Sequence, residues 1–121
     1  MRVKKARQIL KSLADDTRLR IINLLNKQEL NVTQLCEILQ SNQSNLSKHL
    51  ARLRLTGVVG DKREGLNVYY RLIKPKEKTH KELLNAITVG LAESETFKQD
   101  LERLKEVKNS KKDKYKGGDK R

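Results

Sequence analysis

The chain has 121 residues, the size of a single domain, and its 28 Lys and Arg against 15 Asp and Glu leave a net charge of +13. With 36% hydrophobic residues, one Phe, three Tyr and no Trp, the core has to be small and built from Leu, Ile, Val and Ala. No apolar run approaches the roughly 18 to 20 residues that span a bilayer, and no uninterrupted hydrophobic stretch follows the basic Met1-Arg2-Val3-Lys4-Lys5, so the expectation is a soluble, cytoplasmic, non-membrane protein that binds something anionic.

Segment 3–14 carries Val3, Ala6, Leu10 and Leu13 at steps of three and four, with Ile9 beside them, which predicts a first helix. Asp15-Asp16 interrupts it and offers a carboxylate to cap a second helix from Thr17 to about Lys27, apolar at Leu19, Ile21, Ile22, Leu24 and Leu25. Asn31 or Thr33 can open a third helix running to Gln40, with Val32, Leu35, Cys36 and Leu39 on one side. After the polar break Ser41-Asn42-Gln43 comes a fourth, Gln43 to about Thr56, with the inner stripe Leu46, Leu50 and Leu53, and Gly57 ends it. Two helices joined by about three residues, the second with a polar outer face, have the dimensions of a helix-turn-helix.

From Val58 the period changes to two. Val68, Tyr70 and Leu72 alternate with Asn67, Tyr69 and Arg71, and Glu64-Gly65-Leu66 turns the chain back on the run Val58 to Arg63, which predicts one hairpin. Pro75 is placed in the first turn of a fifth helix with Leu83, Leu84, Ile87 and Leu91 in line, and Ser94 or Thr96 recaps a sixth with Phe97, Leu101 and Leu104 inward. Residues 1–108 read as one domain, expected from the resemblance given below to bind DNA and to dimerise, and 109–121 as a disordered basic tail too polar to bury anything. The fold class is mainly α with a small β-hairpin: four helices, two strands and two closing helices, a winged helix-turn-helix.

The runs Leu10-Lys11-Ser12-Leu13-Ala14-Asp15-Asp16-Thr17-Arg18-Leu19-Arg20-Ile21-Ile22, Gln43-Ser44-Asn45-Leu46-Ser47-Lys48-His49-Leu50-Ala51-Arg52-Leu53-Arg54, Arg63-Glu64-Gly65 and Val68-Tyr69-Tyr70-Arg71-Leu72 make the segment from about residue 6 to 73 resemble the ArsR/SmtB family of bacterial transcriptional repressors. The resemblance implies a homodimer, assembled through the first and the closing helices, that binds an inverted-repeat operator on double-stranded DNA and leaves it when an inducer, a small molecule or a protein, binds.

The residues carry their own chemistry beside that resemblance. If Leu46, Leu50 and Leu53 face the core, a step of about 100° per residue puts Ser44, Lys48 and Ala51 outward, with Ser47 and Arg52 flanking. Gln43, Ser44 and Asn45 occupy the first turn, where short polar side chains reach base edges and free amides meet phosphate; Ser and Asn there also serve as plain caps, as Asn42 does. His49, at the edge of the inner stripe, matches a histidine frequent in the family's recognition helix and can bond either to DNA or within the protein. Lys62 and Arg63 precede the hairpin turn, as wing cations on phosphate or as charges protecting an edge strand. Positions 48–76 sum to +6, and 105–121 to +5, which adds non-specific attraction or solubility.

Metal-sensing relatives often carry Cys-x-Cys before the recognition helix, where this chain has Asn31 and Thr33; near the places of a second family site on the fifth helix it offers Lys74, Lys76, Ile87 and Gly90. The expectation is a regulator without the family's metal sites and without a cofactor. Cys36 reads as a small buried hydrophobe or as a redox handle, and as the only cysteine it excludes an internal disulfide. An enzyme is not expected, for no paired carboxylates, nucleophile with base or phosphate loop occurs at useful spacing. The other class kept open is a basic architectural nucleic-acid binder with little sequence preference.

Overall fold

The computed structural model describes the backbone of residues 1–119 and the side chains of residues 1–107. The elements run α1 (Val3–Leu13), α2 (Asp16–Leu25), β1 (Leu30–Asn31), α3 (Val32–Leu39), α4 (Gln43–Leu55), β2 (Val59–Glu64), β3 (Asn67–Leu72), α5 (Lys78–Thr88) and α6 (Glu95–Asp119). The tail expected at 109–121 lies outside the residues whose side chains are described.

Local chemistry sets most boundaries. Asp15 caps α2 by accepting from the backbone N–H of Arg18 at 3.1 Å. Asn31 and Gln34 close a reciprocal capping box on α3, each side chain accepting from the other's backbone N–H at 2.8 and 2.9 Å. Asn42 caps α4 through the N–H of Asn45, and Ser94 caps α6 through the N–H of Phe97. Gly57, at φ +75°, terminates α4 while Val58 N–H bonds back to Leu53 carbonyl at 3.0 Å. At the end of α3, Gln40 takes the left-handed conformation (φ 53°, ψ 49°), an unusual choice for a residue with a Cβ.

The core is aliphatic as composition requires: Ile9, Ile21, Ile22, Leu24, Leu30, Leu35, Ile38, Leu46, Leu50, Leu53, Val58 and Val59 are all fully buried. Helix α2 sits at its centre, packed against α4, α5 and α6. It is tied to α6 by the pair of Arg20 and Asp100, two parallel bonds at 2.7 and 2.8 Å with Asp100 buried, and by Asn23 donating to the Phe97 carbonyl.

Three details depart from the sequence reading. The sheet has three strands, order β1-β3-β2, because Leu30 and Asn31 pair antiparallel with Tyr70 and Tyr69. Pro75 lies three residues before α5 rather than in its first turn, and Glu77 stands at the N-cap without a side-chain cap bond. On α1 the inward side is Ile9, Ser12 and Leu13, whereas Val3 is 82% and Leu10 51% exposed. The Val3, Leu10 edge of the stripe is therefore left open to solvent.

Candidate nucleic-acid interface

The turn of the helix-turn-helix is Gln40, Ser41 and Asn42. It presents the N-terminus of α4 outward, with Gln43, Ser44, Asn45, Ser47, Lys48 and Arg52 all exposed and Leu46, Leu50 and Leu53 fully buried beneath. The helical period thus places six of the seven expected α4 contacts on the open face. Asn45 is less free than its exposure suggests, since its Nδ2 donates to Ser41 Oγ at 3.0 Å within the turn.

His49 is the exception. Its side chain is largely buried, Nδ1 lies 2.9 Å from Arg18 Nη1 and 3.7 Å from Asp15 Oδ1. A guanidinium only donates, so Nδ1 is the acceptor and the neutral ring carries its proton on Nε2. Arg18 is itself buried, with Nε donating to the Ser12 carbonyl, while Ser12 Oγ accepts from Thr56 Oγ1 at 3.0 Å. Burial raises the Asp15 carboxyl, but the backbone N–H groups of Arg18 and Thr17 and the charge of the Arg18 guanidinium outweigh it and hold the group below the ordinary range. Asp15, Arg18, Ser12 and Thr56 thus form a polar seam fixing α4 to α1 and α2.

The sequence reading passed over Arg18, though a signal was present: Arg18, Ile22 and Leu25 follow at steps of four and three, which puts a cation in line with a buried stripe. It also passed over Arg54, whose Nη1 donates to Asp61 Oδ2 at 2.8 Å and joins the last turn of α4 to the hairpin.

The hairpin register pairs Val59 with Leu72, Asp61 with Tyr70 and Arg63 with Val68. Side chains alternate along a strand, so Arg63 extends from the face that Tyr70 and Leu72 turn to the core, and Lys62 stands on the opposite face. The two wing cations therefore do not act side by side. Lys62 is held by Glu64 at 3.1 Å, on its own face two residues on, whereas Arg63 is exposed and enters no described ion pair.

Cys36 is half-buried against the core, and burial pushes its thiol up, away from the reactive thiolate. Asn31 is buried and committed to its capping box, and Thr33 is exposed. Among the described residues, no group of three or more His, Cys, Asp and Glu could hold a metal ion, and no helix is long and apolar enough to cross a membrane.

Residues 15–60, from the cap of α2 to the start of the wing, match the family model described as bacterial regulatory protein, arsR family. The transcriptional repressor PagR of Bacillus anthracis is 42% identical over 81 residues, 66% of this chain and 81% of that protein. The chain belongs to the ArsR family. Another member, the transcriptional activator HlyU of Vibrio cholerae, is 40% identical over 83 residues, 69% of this chain and 77% of its own. Among solved structures, the homodimeric winged helix-turn-helix DNA-binding domain of Mb0332 from Mycobacterium bovis superposes with a TM-score of 0.63 at 27% identity, covering 77% of this chain and 83% of that one. The winged helix-turn-helix architecture is thus that of ArsR-family transcriptional regulators, a family of regulators rather than enzymes.

Proposed function

We propose that the chain is a homodimeric, sequence-specific repressor that binds an inverted-repeat operator through α4 and the wing. The observation that carries this reading is the polar face of α4, with Gln43, Ser44, Ser47, Lys48 and Arg52 exposed above a fully buried leucine stripe and the wing fastened to the same helix by Arg54 and Asp61. Gln43 and Ser44 read base edges; Lys48, Arg52, Arg63 and, once released from Glu64, Lys62 neutralise phosphates; Asn45 shapes the turn. His49 acts from within, keeping α4 seated.

Dimerisation is supported by the exposed Val3 and Leu10 on α1, and by the homodimeric state of the Mb0332 domain. The name of PagR supports repression, and that of HlyU is the reason the sign of regulation has to be measured. Residues 1–108 serve as the DNA-binding and dimerisation unit, and the basic residues beyond add non-specific attraction. With Asn31 spent on a helix cap, the place of the family's Cys-x-Cys ligands holds no metal ligand, which supports an inducer other than a metal ion. The test recovers bound fragments from sheared genomic DNA and measures affinity for the enriched sequence and for a scrambled duplex. Specific binding exceeds non-specific binding by at least about a thousandfold for a sequence-reading regulator; equal affinities favour the architectural alternative. Zinc, cadmium or arsenite added to the complex leaves that affinity unchanged.

A further inference from the structure

A cavity of about 390 Å³ opens where three elements meet. Helix α1 contributes Lys5, the end of α4 contributes Leu55 and Thr56, and the linker from β3 to α5 contributes Ile73, Lys74 and Lys76. His80, in the first turn of α5, also lines it; the residue is 7% exposed and its Nε2 is buried without a hydrogen-bond partner. A buried ring nitrogen left unpaired is destabilising, so a partner for it is worth having. The α5 N-terminus adds its positive dipole end, for Glu77 makes no side-chain cap bond there.

We infer that this cavity binds a small organic anion, a carboxylate on a short apolar body, with an oxygen accepting from His80 Nε2–H and its charge among Lys5, Lys74 and Lys76. The volume lies at the small-molecule end of the usual range of roughly 300–1,000 Å³. Leu55 and Ile73 supply apolar wall. Lys74 and Lys76 enter no described ion pair, so their charge is available. Glu77 also lines the cavity, but its carboxylate is occupied by Lys5 Nζ at 3.0 Å. His80 Nε2 is closed to solvent as the chain stands, so the ligand reaches it only when Lys5 and Glu77, both about half exposed, part, and it then takes the place of Glu77 on Lys5. A metal ion fits poorly, because one imidazole and one carboxylate stand here among three ammonium groups. Burial and the charge of Lys5 both lower the His80 pKa, against a smaller opposite effect of Glu77, so the empty site holds a neutral ring. Because Leu55 and Thr56 end the helix proposed to read DNA, occupancy is felt at the operator; this last step rests on the proposed function, and the binding step does not.

The chain has two histidines, which gives the test an internal control. Ring resonances of His80 and His49 are followed by nitrogen-resolved NMR at constant ionic strength while sodium butyrate, sodium benzoate or inorganic phosphate is added to the full chain. Saturable movement of His80 at millimolar or lower butyrate or benzoate, with His49 unmoved, is the expected result, and K5A and K74A, both on the rim, weaken it about tenfold each. H80Q, checked for folding by circular dichroism, abolishes the binding heat in calorimetry. No saturable movement, equal movement of both rings, or affinity indifferent to the lysines overturns the site, and phosphate binding as tightly as the carboxylates overturns the apolar body. With the site confirmed, a saturating probe changes operator affinity at least about fivefold; an unchanged affinity overturns the regulatory step alone.

Discussion

Arg18 Nη1 lies 2.9 Å from His49 Nδ1, a polar contact that ties α2 at the centre of the core to the inner side of α4, the helix proposed to face DNA. The two residues belong to different helices and share no other described bond. R18A, H49A and the double variant, compared by urea unfolding, give an interaction energy of about 1 kcal/mol, within the range for directly bonded partners. Strict additivity would mean the contact is structurally idle.

The pair of Arg20 and Asp100 carries a larger penalty. Replacing Arg20 by Met leaves Asp100, which is 1% exposed, as an unpaired buried carboxylate. The cost is about 3 kcal/mol, at the low end for a broken buried pair because Arg20 is itself partly exposed. Asp100→Asn in the same background recovers part of it, since the amide carries no charge to desolvate.

Gln40→Gly stabilises the fold by about 1 kcal/mol, because glycine adopts the left-handed conformation of that residue without a Cβ conflict. Thermal unfolding and operator binding are measured together. A gain in stability with unchanged affinity shows that the strained turn is not needed for recognition.

Stability also depends on pH through His80. Burial, reinforced by Lys5, lowers its pKa in the folded chain, while the unfolded chain titrates near 6.5. The stabilising contribution is complete above about pH 6.5 and declines as the pH falls through the depressed value, because the unfolded state takes up the proton first. In H80Q the decline below about pH 6.5 is shallower than in the parent; parallel curves would exclude His80 as its source.

At the DNA, Q43A and S44A each cost roughly 1–3 kcal/mol on the operator and little on a scrambled duplex if they read bases. R63A lowers both affinities and reduces the slope of log affinity against log salt by about 0.9. K62A does less, for Glu64 already neutralises part of that charge. Anisotropy titrations at several salt concentrations separate the cases, and an equal loss from Q43A on both duplexes would show that α4 does not read sequence.

What the sequence disclosed and what it withheld divide along physical lines. Caps announce themselves locally, so Asp15, Asn31 and Asn42 were legible, and so was the leucine stripe of α4. Strand β1 was not, because two residues have no period and become a strand only when Tyr69 and Tyr70 arrive from 38 and 40 residues away. Val3 and Leu10 fit a helical stripe by spacing alone, yet they stand exposed, uncovered by any of the described residues. The bond from Arg18 to His49 joins residues 31 apart, beyond any local pattern; only the arginine's place on an apolar face hinted at it. The opposite faces of Lys62 and Arg63, by contrast, follow from strand alternation and were available from the start.

Asn31 belongs at once to the strand beside Tyr69 and to the cap that starts α3. One amide therefore stands at the root of the wing and at the threshold of the helix-turn-helix. A substitution there reaches both of the parts proposed to meet DNA, so that groove reading and backbone gripping would be inherited as a linked pair. Chimeras that exchange the wing between relatives should consequently carry residues 30 and 31 with it, or else expect the first helix of the reading motif to shift underneath its partner.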